Sequence, residues 1–176
     1  MSYLSRRIFK SSLTSQSSIR ELLQNVFVSE LLSPSETVWL VSPWITNVAI
    51  LDNRSGSFDI LNPQWGHREV RLLDVLLQGL STGTNFRIVT RPLEMNDRWL
   101  SQLDESATQS GLIDSLTVIR RDILHTKGFL TSTGLLVGSM NFTRSGVELN
   151  DESVEYSIDR QSIASARLAF ETYLNK

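Results

Sequence analysis

Apolar and polar positions alternate in two rhythms along this chain, and the changes of rhythm place its elements. Ile19, Leu22, Leu23, Val26, Phe27 and Leu31 recur at helical spacing, which predicts a helix to about Leu32. Ser17 or Ser18 stands where an N-cap belongs, and Ser33-Pro34-Ser35 stops the helix. Thr37 to Ser42 is apolar and β-rich and reads as a central strand, ended by Pro43-Trp44-Ile45-Thr46. Residues 52–66 are polar and turn-forming, as expected of a surface loop at the rim of a site. His67 to Leu80 again has helical spacing, and Ser81-Thr82-Gly83-Thr84 ends it. Asn85 to Thr90 predicts a second strand, and Asn96 to Gln109 a helix with Trp99, Leu100 and Leu103 inward. Leu116 to Ile119 starts a strand that continues into Ile123-Leu124-His125. Thr126 to Leu130 and Leu135 to Gly138 form a hairpin across Ser132-Thr133-Gly134. A short helix over Phe142 to Val147, a strand over Val154 to Ile158 and a terminal helix over Gln161 to Asn175 complete the chain. Strands alternating with helices imply a layered α/β fold, and the hairpin makes its sheet mixed.

Length and composition narrow the class. The 176 residues suit one domain, read as residues 17–176 behind an N-terminal arm or edge strand of residues 1–16. With 40% hydrophobic and 20% charged residues the chain is an ordinary globular one. A net charge of -2 gives no global basic field, so a polyanionic partner needs a local patch. Zero Cys excludes disulfides and thiolate metal sites and suits a cytoplasmic location. No apolar run is long enough to span a membrane, and no apolar stretch follows Arg6, Arg7 and Lys10 as a signal peptide would require.

The chemistry concentrates between Ile123 and Ser157. Residues two apart in a strand point to the same side, so His125 and Lys127 can bring an imidazole and an ammonium to one small volume. The turn Gly138-Ser139-Met140-Asn141 adds hydroxyl, amide and backbone donors. Such a set suits an anionic oxygen group with a nucleophile or an acid/base in its middle.

His125-x-Lys127, then Gly138-Ser139-x-Asn141-Phe142-Thr143, then Asn150-Asp151-Glu152, resembles the HKD motif of the phospholipase D superfamily. The likeness is greatest to its small single-motif bacterial nucleases. Two departures stand out. The motif's Asp belongs five residues after the Lys, where this chain has Ser132, and the stretch from there to Gly138 is one residue short. The resemblance implies a phospholipase D-like layered α/β fold, with a mixed, mostly parallel sheet and helices on both faces. It also implies a metal-independent and cofactor-free phosphodiesterase, most simply a nuclease acting on DNA. His125 would form a phosphohistidine, Lys127, Ser139, Asn141 and Arg144 would hold the phosphate, and Glu152 would orient His125. The chain holds only two His, so the second imidazole would come from another copy, in a homodimer joined through the active-site face. His67 is the rival acid, although its place after Gly66 reads more simply as a solvated helix start. Ser132 keeps hydrogen-bonding capacity without charge, enough if the Asp serves to tie the hairpin down. Arg120-Arg121 and Arg144 are further candidates for backbone phosphates. Trp44 reads first as a core aromatic at a strand end and second as the lip of the site.

Small single-motif proteins of this type often sit in DNA-processing or phage-defence gene sets, among them the phospholipase D-like protein of deazaguanine DNA-modification clusters. A complex with DNA-processing proteins follows as a partner. Ser132 and the short hairpin also suit a non-catalytic nucleic-acid-binding subunit. A phospholipase is the third reading, and the lack of an apolar or amphipathic membrane-binding segment weighs against it.

Overall fold

The protein is described by a computed structural model covering residues 4–11 and 17–175. Strand β1 (Ser5–Lys10) is followed by helix α1 (Ser18–Leu32) and strands β2 (Thr37–Val41), β3 (Ala49–Asp52) and β4 (Glu69–Arg71). Helix α2 (Leu72–Ser81), strand β5 (Asn85–Thr90), helix α3 (Glu94–Gln109) and strand β6 (Leu116–Arg120) come next. The hairpin β7 (Gly128–Leu130) and β8 (Leu135–Gly138), a π-helical turn (Ser145–Leu149), strand β9 (Glu152–Ser157) and helix α4 (Arg160–Glu171) close the fold.

Seven strands form one sheet in the order β1-β9-β8-β7-β2-β5-β6, while β3 and β4 pair separately. The sheet is mixed, as expected. β1, β2, β5, β6 and β8 run one way, so most strands are co-directional. Neighbouring pairs are nevertheless antiparallel at four contacts and parallel only at β2/β5 and β5/β6. The pleat sorts the core to two faces. Val38, Leu40, Phe129 and Leu136 face a cluster with Leu23, Phe27, Leu76 and Leu103 of the first three helices. Trp39, Val41, Leu130 and Leu135 face the opposite cluster, closed by Ile163 and Phe170 of α4. Each of these large buried side chains stabilises by about 1.5–3 kcal/mol.

Several boundaries differ from the sequence reading. The helix expected from His67 starts at Leu72, because Val70 is fully buried and pairs with Leu51 across β3/β4. The Arg71 N–H donates to Asp74 at 2.8 Å and sets the helix start there. Ser17 occupies the N-cap of α1 but makes no side-chain capping bond. Within residues 52–66, Trp65 is buried on a single 3-10 turn (Pro63–Trp65). The short helix expected over 142–147 is the π turn 145–149, and β9 begins two residues early, at Glu152. The last helix ends at Glu171 and continues as a 3-10 turn to Leu174. Of the expected N-terminal arm, residues 1–3 and 12–16 lie outside the described residues, and Ser5–Lys10 form an edge strand on β9. Among the described residues no helix is long and apolar enough to cross a membrane.

Candidate active site at the carboxyl ends of the central strands

The register brings one end of all seven strands together. Val41 at the end of β2 pairs with Val89 of β5 and with Gly128, the first residue of β7. Gly128 pairs with Val137, Gly138 with Val154 near the start of β9, and Lys10 at the end of β1 with Glu152. Thr90 of β5 pairs with Arg120 of β6 on the same side.

His125 does not lie in a strand. β6 is the sheet edge and β7 sits beyond β5 and β2, so residues 121–127 must cross over the carboxyl ends of both. The crossing is tied at its start by the Arg121 N–H, which donates to Thr90 O at 2.9 Å. Its middle is pinned by Leu124, which is buried with Val41 and Val89. This leaves His125 exposed and Lys127 half-buried over the strand ends. The expected strand alternation is replaced by a direct bond, in which Lys127 Nζ donates to the His125 carbonyl at 2.6 Å. An ammonium has three protons, so two remain for a ligand.

The opposite wall is the turn after β8. A Cβ on Gly138 would overlap the Ser153 carbonyl and come within 2.8 Å of Val154 Cα, so only Gly lets β8 close on β9 here. Ser139 N–H donates to Ser153 O at 2.9 Å, and Ser153 N–H donates to Ser139 Oγ at 3.0 Å. The Ser139 hydroxyl proton goes to Glu152 rather than out into the site. Ser139 thereby holds Glu152 in place. Glu152 is buried, and among the described residues no hydrogen bond joins it to His125.

Asn141 is oriented by a residue that sequence reading passed over. Buried Ser42 shares its one hydroxyl proton between Trp44 O at 2.8 Å and, more weakly, Asn141 Oδ1 at 3.3 Å, and accepts from Phe142 N–H at 3.3 Å. With its carbonyl oxygen engaged, Asn141 has its two amide protons to offer. Gly146 belongs to the same support, since a Cβ there would strike the Asn141 carbonyl. Arg144 is largely exposed, and its Nε donates to Glu148 at 3.0 Å. Arg120 pairs with Asp97 at 3.0 Å, and the Arg121 guanidinium lies 5.7 Å over the Tyr173 ring.

Lys10 was also missed. It is buried, and Nζ donates to the carbonyls of Gly146 at 3.1 Å and Val147 at 3.0 Å. Burial lowers its pKa, against the opposing pull of Glu152, Asp151 and Glu148. The signal was present in the chain: Ile8 and Lys10 are two apart and therefore share the inward face of β1.

Ser132 ties the hairpin to the loop after α1. Its N–H donates to Ser35 Oγ at 2.9 Å, its own hydroxyl lies 2.9 Å from that same oxygen, and Ser35 donates its N–H and its hydroxyl to the two oxygens of buried Glu30. A carboxylate is thus present behind the motif's variant position, supplied by α1 through a serine. His67 lies 3.6 Å from Asp59 in the 53–66 loop, exposed. Trp44 is 36% exposed and lines a cleft with Met95, Asn141, Thr143, Arg144 and Asn150, which corrects the core reading of this residue.

The sequence profile described as "Cardiolipin synthase, PLD-like domain" matches residues 28–174. No curated protein sequence matches the chain significantly. Among solved structures, NucT from Helicobacter pylori is similar with a TM-score of 0.62 at 14% identity, covering 97% of this chain and 96% of that one. Nuc from Salmonella typhimurium, a phospholipase D family member, gives 0.61 at 14% identity, covering 97% and 93%. TrmBL2, an archaeal chromatin protein described as having a novel mode of DNA binding, gives 0.56 at 12% identity over 98% of this chain and 53% of that one. With the profile spanning most of its length, and its fold shared by Nuc and NucT, the chain belongs to the phospholipase D superfamily of PLD-like domains.

Proposed function

We propose that the protein is a metal-independent phosphodiesterase that cleaves DNA in the cytoplasm through a site shared by two copies of the chain. The observation that carries this reading is the crossing segment. It suspends His125 and Lys127 over the ends of β5 and β2, at the same end of the sheet as Asn141 and Glu152. Lys127 and the Asn141 amide hold the non-bridging oxygens. A neutral His125 nitrogen attacks phosphorus, and a P–N bond forms as the P–O bond to the leaving strand breaks. The leaving oxygen takes a proton from the partner subunit's His125, which two-fold symmetry brings to the other side of the phosphate. Water then attacks the phosphohistidine, gives its proton to that second imidazole and releases a phosphomonoester. The exposure of His125 in a single chain and its lack of a bond to Glu152 fit a site that is completed on pairing.

The test is cleavage of single- and double-stranded DNA in excess EDTA. The wild-type chain is expected to turn over, and His125→Ala is expected to lose at least about a hundredfold. Wild type and His125→Ala mixed 1:1 and allowed to exchange subunits are expected to retain about a quarter of the activity, against about a half for independent sites. His125→Ala cleaving as fast as wild type would sink the mechanism. Phosphatidylglycerol vesicles run in parallel report a lipid substrate instead.

A second reading has its own support. Ser132 stands at the motif's Asp position and Glu152 is engaged with Ser139. Both suit a nucleic-acid-binding subunit of a DNA-processing complex, which would bind with steep salt dependence and not turn over.

A further inference from the structure

Four tryptophans occur in the chain, and three of them are buried, with Trp39 at 2%, Trp65 at 5% and Trp99 at 4% exposure. Trp44 stands apart at 36%, on the loop that leaves β2 beside the candidate active site. The loop is held rigidly. Asn96, fully buried on α3, accepts from Ile45 N–H at 2.9 Å and donates to the carbonyls of Pro43 at 2.8 Å and Arg91 at 2.9 Å. Ser42 Oγ donates to Trp44 O at 2.8 Å, and Thr46 N–H to Phe142 O at 2.8 Å. The backbone on both sides of the ring is therefore fixed before any ligand arrives, which spares the ordering cost of binding.

The ring's surroundings define what it would take. The Arg91 guanidinium lies over the ring at 5.9 Å from its centroid, and among the described residues Arg91 makes no ion pair. Its Nε is buried without a hydrogen-bond partner, so this charge is held by stacking and not by a carboxylate. The cleft that Trp44 lines is shared with Met95, whose polarisable thioether suits aromatic rings, and with the polar residues Thr143, Arg144 and Asn150. The cleft measures about 400 Å³, within the roughly 300–1,000 Å³ of small-molecule sites. It also contains Asn141, so it opens directly from the group that would hold the phosphate. A flat aromatic floor, an adjoining uncompensated cation and scattered donors and acceptors match a planar heteroaromatic ring attached to an anion. They match an acyl chain poorly.

We propose that this cleft is a nucleobase subsite, in which the base adjoining the scissile phosphate stacks on Trp44. The assignment rests on the nucleic-acid reading above, but not on turnover. Stacking is sequence-tolerant because every base has a π-face, so the subsite would favour unpaired strands without selecting a sequence.

The test uses the full chain carrying His125→Ala, which keeps the strand intact, and reads both affinity and tryptophan fluorescence. Because the other three indoles are buried, quenching by a short single-stranded oligonucleotide reports Trp44. The strand with bases is expected to quench, and a fully abasic strand of the same length to bind about 5- to 150-fold more weakly without quenching. Trp44→Ala is expected to erase that ratio and Trp44→Phe to retain most of it. Equal binding of the two strands, or a ratio unchanged by Trp44→Ala, overturns the subsite. So does quenching by phosphatidylglycerol vesicles but not by either strand. Turnover by the wild-type chain separates the two claims. DNA cut equally well with and without bases removes the subsite alone, whereas base-dependent quenching with no cutting removes the catalytic reading and leaves the subsite standing.

Discussion

Glu30 carries the most consequential side chain outside the site. Burial pushes its pKa above the usual 4.5, and the two bonds from Ser35, at 2.6 Å and 2.7 Å, pull it down without overcoming that effect. A carboxyl whose folded pKa is raised binds more protons folded than unfolded in the window just above 4.5. Its contribution is fully present below that value and is lost as pH rises through the folded pKa. The urea midpoint of the wild-type chain should therefore fall relative to Glu30→Gln as pH is raised through this window. Equal pH dependence of the two proteins would show that Glu30 is not the titrating group. The same residue explains how Ser132 is accommodated. An Asp at 132 would meet the Glu30 carboxyl through Ser35, and two carboxyls around one serine would compete for its donors. The pairing of Ser132 with Glu30 was invisible along the chain, because the two residues sit on different elements and only the fold places Ser35 between them.

Among the elements, the β8/β9 pair is the most intolerant of change. Gly138→Ala would drive a methyl into the Ser153 carbonyl and part the strands where Ser139 holds Glu152. The expected cost is about 1–3 kcal/mol of stability. It would be seen as a lower thermal midpoint, with a loss of turnover larger than the loss of folded protein. Unchanged activity per folded molecule would disconnect the Ser139–Glu152 contact from function. Elements of this kind differ in how plainly the chain announces them. α1, β2, β5 and α3 were legible because their apolar spacing matches one period only. β4 was not, because Val70 continues the helical period of Leu73 and Leu77 and yet pairs with Leu51 of β3. The crossing segment mimics a strand for a related reason. Ile123-Leu124-His125 has strand composition, but the sheet order gives it no neighbour to pair with.

Over the whole molecule, the candidate site is assembled from the most distant parts of the chain. His125, Lys127, Asn141 and Glu152 were legible because the motif lies within one short stretch, while Ser42 and Lys10, which fix that stretch in space, and Asn96, which fixes the loop after β2 beside it, were not. β1 is joined to β9 by its ladder and by Arg7 Nε donating to Glu155 at 2.9 Å, across 148 positions of sequence. Closing so long a loop is entropically costly and is repaid only after the intervening core has formed. The pairing of β1 with β9 beside Glu152 is therefore expected to form late and to open early. In low denaturant β1 should exchange its amide hydrogens well before β2 does, and activity should disappear while the core is still folded. Exchange of β1 in step with β2 would instead mean that site and core open as one cooperative unit. An edge strand that opens ahead of the core would act as a latch, so that partial unfolding would suspend the site reversibly without the protein being lost.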